Sequence, residues 1–302
     1  MWSLERDARL RSAAMEWLAA RTNDGRDPLA GDEIEEFTFE GERFRLMDRQ
    51  RGIRKPAVLA SALAIRTVWR PEGAPRPYED AIAADGLVRY KWRGDDPDHP
   101  ENRALRAAMD AQQPLIWFWG VAEALYQAIY PVYLVGEELR QQQFVVATDG
   151  LQHLRPTDSP LDEVVRRYLR SETLRRLHQP VSRSMVMLAY HERCAVCSLR
   201  HNELLDAAHI VEDRHDLGVA AVRNGLALCK IHHAAYNSRI LGVRPDLVVE
   251  IRADILEETD GPLLEHGLKG LHGMPLRVVP SSRSQRPDVE LLTLRYDRFR
   301  AS

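Results

Sequence analysis

Cysteine is scarce in this sequence, with three among 302 residues, and all three lie between positions 194 and 229. Three cysteines cannot form a closed disulfide framework, so a secreted fold held by disulfides is excluded, and their clustering indicates local metal chemistry. Apolar runs of the roughly 18 to 20 residues that a membrane span needs are also absent. The N-terminus, MWSLERDARLRSA, lacks the apolar stretch of a signal peptide. We therefore expect a cytoplasmic protein that does not contact a membrane.

Charge of one sign is not in large excess, because the formal net charge is −3 at pH 7. That balance neither requires nor excludes nucleic acid as a partner. The distribution is uneven, however, since Arg43 to Arg70 contains eight Lys or Arg residues and one acid. Four of these cations surround Gly52 and predict a loop that grips DNA phosphates: Arg49, Arg51, Arg54 and Lys55. The alternative is an ordinary solvated loop.

The pattern of apolar residues predicts both helices and strands. Spaced apolar positions from Leu4 to Leu18 predict an opening helix that ends near Gly25. From Phe37 to Ala147, short runs rich in β-branched and aromatic residues predict a mostly antiparallel sheet or barrel, interrupted by one helix over 102–111. A further helix is predicted over 161–177. With 302 residues, two domains are more typical than one.

Two short metal-binding pairs stand in the C-terminal half: Cys194-x-x-Cys197 and Cys229-x-x-His232. A two-residue spacer lets both side chains of a pair converge on one ion, and thiolate and imidazole are the ligands that zinc prefers. Four protein ligands leave no open position, so the predicted zinc is structural. The alternative is three buried free cysteines beside an unrelated histidine.

Further polar residues lie within and after this zinc frame, in the order Asp206-Ala-Ala-His209-Ile210, Asn224-Gly225-Leu226, His233 and Asn237. This order resembles the HNH family of ββα-metal endonucleases, whose pattern has a His on the first strand, an Asn after the hairpin loop and a His on the helix. The resemblance implies that His209 is the general base for phosphodiester hydrolysis. It also implies that Asn224 holds the hairpin and orients that imidazole, and that His233 binds the catalytic cation, Mg²⁺ or Mn²⁺.

The sequence departs from that family at one position. Many members carry an acid or a His directly before the base, and here that residue is Ala208. In a strand, Asp206 points to the same side as Ala208, so Asp206 could reach the cation instead. Asn237 follows His233 by one helical turn and can face the same ion. The Cys-x-x-His spacing assigns His232 to zinc, although the adjacent His233 leaves that assignment open.

A second resemblance concerns the N-terminal half, where Tyr78-Glu79-Asp80 is followed by Tyr90 and by Asn102-Arg103-Ala104-Leu105. These residues resemble the core of SRA domains, which are PUA-like barrels that bind a flipped-out modified cytosine. The resemblance implies that Tyr78 and Tyr90 stack on the two faces of the base. The acid that reads the cytosine amino edge would fall at Ala81, so Asp80 or Asp85 is the candidate replacement, or another base is read. The alternative is that both tyrosines are ordinary half-buried strand aromatics.

The expected fold class is α+β, with an N-terminal PUA/SRA-like, mostly antiparallel β-barrel with helices and a C-terminal zinc-stabilised HNH domain. We expect a DNA-sensing domain over 1–155, a helical connector over 156–180, the nuclease over 181–255 and a C-terminal extension over 256–302 that packs on the body. These parts predict a modification-dependent restriction endonuclease acting on double-stranded DNA. One HNH site cuts one strand, so a double-strand cut predicts a homodimer.

Two alternatives remain open at the level of sequence. In the first, the N-terminal domain of an HNH nuclease reads unmodified sequence, a partner or a small-molecule signal instead of a modified base. In the second, an incomplete metal site at Ala208 leaves a catalytically weak, zinc-bearing DNA-binding module.

Overall fold

The computed structural model describes residues 1–70, 87–148, 171, 173–212 and 221–301. The chain divides into two compact units, unit 1 from Met1 to Val181 and unit 2 from Ser182 to Ser302. Tyr78, Asp80, Asp85 and most of the predicted connector helix lie outside the described residues. Within the described ranges, no helix is long and apolar enough to cross a membrane.

Unit 1 is built on a seven-stranded sheet that curls into a half-barrel. The strands of the unit are β1 (Leu29–Ala30), β2 (Thr38–Phe39), β3 (Glu42–Arg43), β4 (Ile53–Arg54), β5 (Ala64–Thr67), β6 (Val88–Lys91), β7 (Leu115–Ala122), β8 (Leu125–Glu138) and β9 (Gln143–Ala147). The sheet order is β4-β5-β7-β8-β9-β6, with β1 paired to β8, and β2 and β3 form a separate hairpin. All neighbouring strands are antiparallel except β5 and β7, which run parallel.

The α-helices among the described residues that accompany this sheet in unit 1 are α1 (Leu4–Arg21), α2 (Gly31–Ile34) and α3 (Pro100–Asp110). Helix α1 buries Leu10, Ala14 and Leu18, which recur every fourth residue and therefore form one apolar stripe. Helix α3 has Pro100 in its first turn, where the missing N–H is not needed. A short π-helical turn follows over Leu174–His178.

Unit 2 contains a hairpin and a helix in direct succession. Helix α4 (Gln179–Ala189) belongs to unit 2 from residue 182 on. The hairpin consists of β10 (Leu205–His209) and β11 (Gly225–Cys229), and the helix that follows it is α5 (Lys230–Asn237). The remaining described α-helices are α6 (Ala253–Glu257), α7 (Pro262–Gly267) and α8 (Val289–Arg300). The hairpin is antiparallel and pairs Leu205 with Cys229 at one end and His209 with Gly225 at the other. A second hairpin joins β12 (Leu241–Val243) to β13 (Val249–Ile251).

The C-terminal segment belongs to the core of unit 2. Leu276 and Leu292 are buried in the same apolar cluster as the strands of the first hairpin. The backbone N–H groups of Arg277 and Val278 both donate to the carbonyl oxygen of Ala195, at 2.8 and 3.2 Å. The segment therefore packs against the first cysteine pair through main-chain hydrogen bonds as well as apolar side chains.

Together the two units make a mixed α+β chain, which confirms the expected class. The sheet of unit 1 differs from the expected barrel in one respect. Among the described residues, strands β4 and β6 end the sheet and do not pair with each other, so the sheet is an open half-barrel. The parallel pairing of β5 with β7 also departs from a purely antiparallel arrangement.

Candidate metal and nuclease site

The two predicted zinc pairs come together in unit 2. The ligand atoms of Cys194, Cys197, Cys229 and His232 all lie within 4.8 Å of one another. His232 Nδ1 lies 3.5 Å from Cys194 Sγ and 3.1 Å from Cys229 Sγ. Three sulfurs and one ring nitrogen at these separations fit tetrahedral zinc without an open coordination position. The cluster is therefore suited to a structural metal.

Hydrogen bonds from neighbouring groups favour the protonation states in which His232 and Cys229 bind a metal. His232 Nε2 lies 2.8 Å from the carbonyl oxygen of Gly267, which accepts its proton and leaves Nδ1 free to bind a cation. Hydrogen bonds from Cys194 and Cys197 lower the pKa of Cys229, although burial opposes the shift. The cluster thus favours a thiolate at Cys229, and the thiolate is the form of cysteine that binds zinc.

Asn224 holds the loop end of the β10–β11 hairpin together. Its side chain is 1% exposed, accepts a hydrogen bond from the Val211 N–H at 2.9 Å and donates to the Val211 carbonyl at 3.0 Å. The Ile210 N–H also donates to the Asn224 carbonyl, at 2.9 Å. These bonds hold the residues after His209 against the start of β11, on either side of the loop that joins the two strands.

The residues predicted to bind a catalytic cation also meet. His233 Nδ1 on α5 lies 3.5 Å from Asp206 Oδ2 on β10, and both side chains are partly exposed. Ala208, in contrast, is 1% exposed and lies in the apolar core. The position directly before His209 therefore contributes to packing, while a carboxylate two residues earlier stands beside the helix histidine.

His209 and Asn237 occupy the two ends of this region. His209 is the last residue of β10, is half-buried and pairs with Gly225 across the hairpin. Asn237 is the exposed last residue of α5, one turn after His233. The arrangement therefore offers a half-buried imidazole, a carboxylate–imidazole pair and an amide on one hairpin-helix element.

A comparison with protein families supplies the assignment, because the family model described as an HNH endonuclease matches residues 194–244. Unit 2 contains an HNH endonuclease domain. The chain is therefore a nuclease that hydrolyses phosphodiester bonds. The matched residues include all four members of the metal cluster and the whole hairpin-helix element.

Among solved structures, the chain is similar to one titled "Modification dependent TagI restriction endonuclease", with 19% sequence identity and a TM-score of 0.32. The alignment covers 82% of this chain and 85% of that chain. A TM-score of this size does not establish a shared fold. No curated protein matched the sequence.

Outside the HNH domain, the predicted phosphate-binding residues lie on and around β4 in unit 1. Arg51 and Lys55 are exposed, and Arg49 forms an exposed ion pair with Glu35, at 2.9 Å between Nε and Oε1. Arg54 is less accessible, and burial lowers the pKa of its guanidinium. Its Nε donates to the carbonyl oxygen of residue 45 at 3.2 Å. The stretch keeps several cations at the surface.

Tyr90, the described member of the predicted base pocket, is buried rather than open. The side chain is 6% exposed, and its ring meets Trp117 edge-on with 5.8 Å between ring centroids. Its hydroxyl donates to the carbonyl oxygen of Gly52 at 2.9 Å. The ring is thus held in one orientation beside the basic loop, as part of the core.

Sequence reasoning did not identify two residues that shape the HNH domain. Gly267 supplies the carbonyl that orients His232, although it lies in the C-terminal extension and carries no motif. Tyr190 is fully buried and donates to the Gly225 carbonyl at 3.2 Å, next to His209 in the hairpin register. For Tyr190, the available signal in the sequence was its position shortly before the first cysteine pair.

Proposed function

We propose that the protein is a modification-dependent DNA restriction endonuclease whose HNH domain cleaves with a divalent cation and a histidine base. The approach of Asp206 to His233 supports the catalytic part of this proposal, because a carboxylate and an imidazole, two groups able to bind a cation, lie side by side on the family's hairpin-helix element. Carboxylate oxygen suits hard ions, so Mg²⁺ or Mn²⁺ is the proposed catalytic metal. Zinc is the proposed structural metal.

Each catalytic residue has a separate task. A bound divalent cation stabilises the charge that develops on the phosphate and on the leaving oxygen. Asp206 and His233 hold that cation, and Asn237 is a further candidate ligand from the same helix. His209 takes the proton from the attacking water as general base. Asn224 keeps the end of the hairpin closed through Val211 and so fixes the backbone that carries His209.

Unit 1 supplies DNA binding and base recognition in this proposal. The exposed cations of the basic loop contact phosphates and give affinity that does not depend on sequence. Tyr78, Asp80 and Tyr90 form the pocket for a flipped-out modified base, in which aromatic faces replace the lost stacking. The hydrogen bond from the Tyr90 hydroxyl to the Gly52 carbonyl brings this residue next to the basic loop.

Cleavage of matched plasmids tests this function. Wild-type protein should cut modified DNA faster than unmodified DNA, and only with Mg²⁺ or Mn²⁺ present. His209→Ala should lower the cleavage rate by about 10²- to 10⁴-fold while retaining DNA affinity and zinc, because only water activation is lost. His201→Ala, at an exposed histidine, is the control and should cleave normally. Full activity of His209→Ala would contradict the proposed base.

The burial of Tyr90 favours a second candidate function. A ring that is 6% exposed and packed on Trp117 is also what an ordinary core aromatic requires. In that case the HNH nuclease uses unit 1 to read unmodified sequence or another signal. Equal cleavage of modified and unmodified plasmids by active enzyme would support this candidate over the first.

A homodimer is proposed for double-strand cleavage, because one hydrolytic site acts on one strand. A C2 dimer brings two such sites to one locus. Light scattering and cleavage of plasmid at limiting enzyme measure the two properties together. A strict monomer that converts supercoiled plasmid directly to the linear form would contradict the dimer.

A further inference from the structure

The C-terminal segment carries cations that lie outside the residues matched by the HNH family model, which end at residue 244. Residues 270–287 contain no acid and three arginines, all of them exposed: Arg277, Arg283 and Arg286. None of the three forms an ion pair with another described residue, whereas Arg244 and Arg252 of the same unit each pair with an aspartate. The segment therefore presents positive charge that the described part of the chain does not neutralise.

Residues 281–286, which we call the arginine turn, have a defined conformation. Arg283–Gln285 form one turn of 3₁₀ helix. Arg286 Nε donates to the carbonyl oxygen of Pro280 at 3.2 Å, which ties the end of the turn to its start. Pro280 and Pro287, on either side of the turn, are both buried. An anchored turn loses little backbone freedom when its exposed side chains bind a ligand.

The arginine turn lies next to the end of the hairpin that carries His209. Arg283–Gln285 lies beside Val222–Asn224, the residues that directly precede β11. Just after the turn, the backbone N–H of Asp288 donates to the carbonyl oxygen of Arg223 at 2.9 Å. His209 pairs across the hairpin with the first residue of β11. The exposed arginines and the proposed general base therefore stand at the same end of the hairpin.

The acid that follows the turn, Asp288, is engaged elsewhere. Its carboxylate forms an ion pair with Arg223 and accepts the Glu290 N–H at 2.8 Å, as the N-cap of α8. Arg277 extends the positive surface in the other direction, because its backbone N–H donates to the carbonyl oxygen of Ala195. The cations thus run from the first cysteine pair to the loop end of the hairpin.

We infer that Arg277 and the arginine turn bind the phosphodiester backbone of DNA beside the cleaved bond, an inference that rests on the proposed DNA cleavage by the HNH domain. A guanidinium stays charged and presents its N–H donors in a planar fork that matches phosphate oxygens. Contacts of this kind position a strand and carry no sequence information. The C-terminal segment thus holds the strand at the hairpin, whichever base unit 1 reads.

Equilibrium binding of the full chain to one unmodified duplex tests this contact, without divalent cations so that no cleavage occurs. Arg283→Ala should lower the slope of log affinity against log salt by about one, which weakens binding by about five- to tenfold at about 0.1 M salt. Arg283→Lys keeps the charge and should restore most of the affinity. Arg300→Ala is the control, because it removes an exposed arginine at the far end of α8 and should keep the wild-type slope.

Neutral methylphosphonate linkages, placed one at a time around the cleaved bond, locate the contact. At the phosphate that Arg283 binds, the linkage should weaken wild-type binding and leave Arg283→Ala unaffected, because the variant has already lost that interaction. The melting temperature should stay at the wild-type value in Arg283→Ala, since the side chain is exposed.

Two results would overturn the inference: a wild-type salt slope in Arg283→Ala, or equal sensitivity of both proteins to every methylphosphonate. A wild-type protein that binds DNA but cuts no duplex would instead refute the proposed cleavage. In that case the salt slopes still decide whether Arg283 contacts phosphate.

Discussion

His233 on α5 and Asp206 on β10 stand 3.5 Å apart, between Nδ1 and Oδ2, although neither residue is part of the zinc cluster. The adjacent residue His232 turns its Nδ1 toward the cysteines instead. Two consecutive histidines of one helix thus contact different groups: His232 lies against the cysteines, and His233 lies beside the Asp206 carboxylate. The separation of these roles leads to distinct expectations for each residue.

Loss of either proposed cation ligand should stop cleavage without releasing DNA. We expect Asp206→Asn and His233→Ala each to lower the metal-dependent nicking rate by about 10²-fold or more, because cation stabilisation of the phosphate is worth several kcal/mol. Plasmid nicking and DNA affinity should be measured together. Asp246→Asn is the control, since this exposed acid forms a surface ion pair with Arg244. Normal nicking by Asp206→Asn would exclude this carboxylate as a required ligand.

The adjacent histidines should differ in their effect on zinc. Elemental analysis should find one zinc per wild-type chain and a loss of zinc in His232→Ala, whereas His233→Ala should retain it. Removal of zinc should destabilise unit 2, because a structural metal contributes its binding free energy to folding. Denaturation with and without a strong chelator measures this effect. Zinc retention by His232→Ala, or folded wild-type protein that contains no zinc, would contradict the assignment.

Gly225 should be required by close packing at the hairpin. A Cβ atom at this position would lie 2.5 Å from Val186 Cγ2, whereas a Cβ atom at Gly261 would meet no described atom within 4 Å. We therefore expect Gly225→Ala to lower the free energy of unfolding by about 1 to 3 kcal/mol. Gly261→Ala is the matched control, and urea denaturation compares the two variants. Equal stability of both would show that Val186 moves aside without cost.

Substitutions of Tyr78 and Tyr90 can test base recognition, and the burial of Tyr90 decides which substitution is informative at that position. Tyr90→Ala would leave a cavity in the core, so Tyr90→Phe, which removes only the hydroxyl and its bond to Gly52, is the informative change. We expect Tyr78→Ala to reduce the preference for modified DNA by the loss of about 1 to 3 kcal/mol of stacking. Tyr90→Phe should have a smaller effect.

Arg51→Ala provides the contrast for this test. Loss of a phosphate contact should weaken binding to modified and unmodified duplexes alike and reduce the salt dependence of affinity. Anisotropy titrations at several salt concentrations separate the two behaviours. A wild-type ratio of affinities in Tyr78→Ala would remove this residue from the proposed pocket.

The metal cluster and the nuclease family could be predicted from sequence because both depend on short, local spacing. A pair such as Cys194 and Cys197 lies within one turn of chain, and the hairpin-helix element is formed by neighbouring segments. Strands β6 to β9 could also be predicted, as runs of β-branched and aromatic residues bounded by turn residues. Local patterns of this kind survive in the folded protein because tertiary packing reinforces them.

Other features were decided only by contacts between distant segments. The parallel pairing of β5 with β7 depends on how the whole sheet is arranged, and the periodicity of one strand does not specify its partner. Gly267 reaches His232, and Arg51 reaches Glu101, across 35 and 50 residues of sequence, which no local spacing describes. Likewise, only the folded chain decided that Tyr90 and Glu101 are buried. The sequence by itself determined which chemical groups are present, and the tertiary structure decided which of them lose water and which meet, because desolvation and contact are properties of the packed chain.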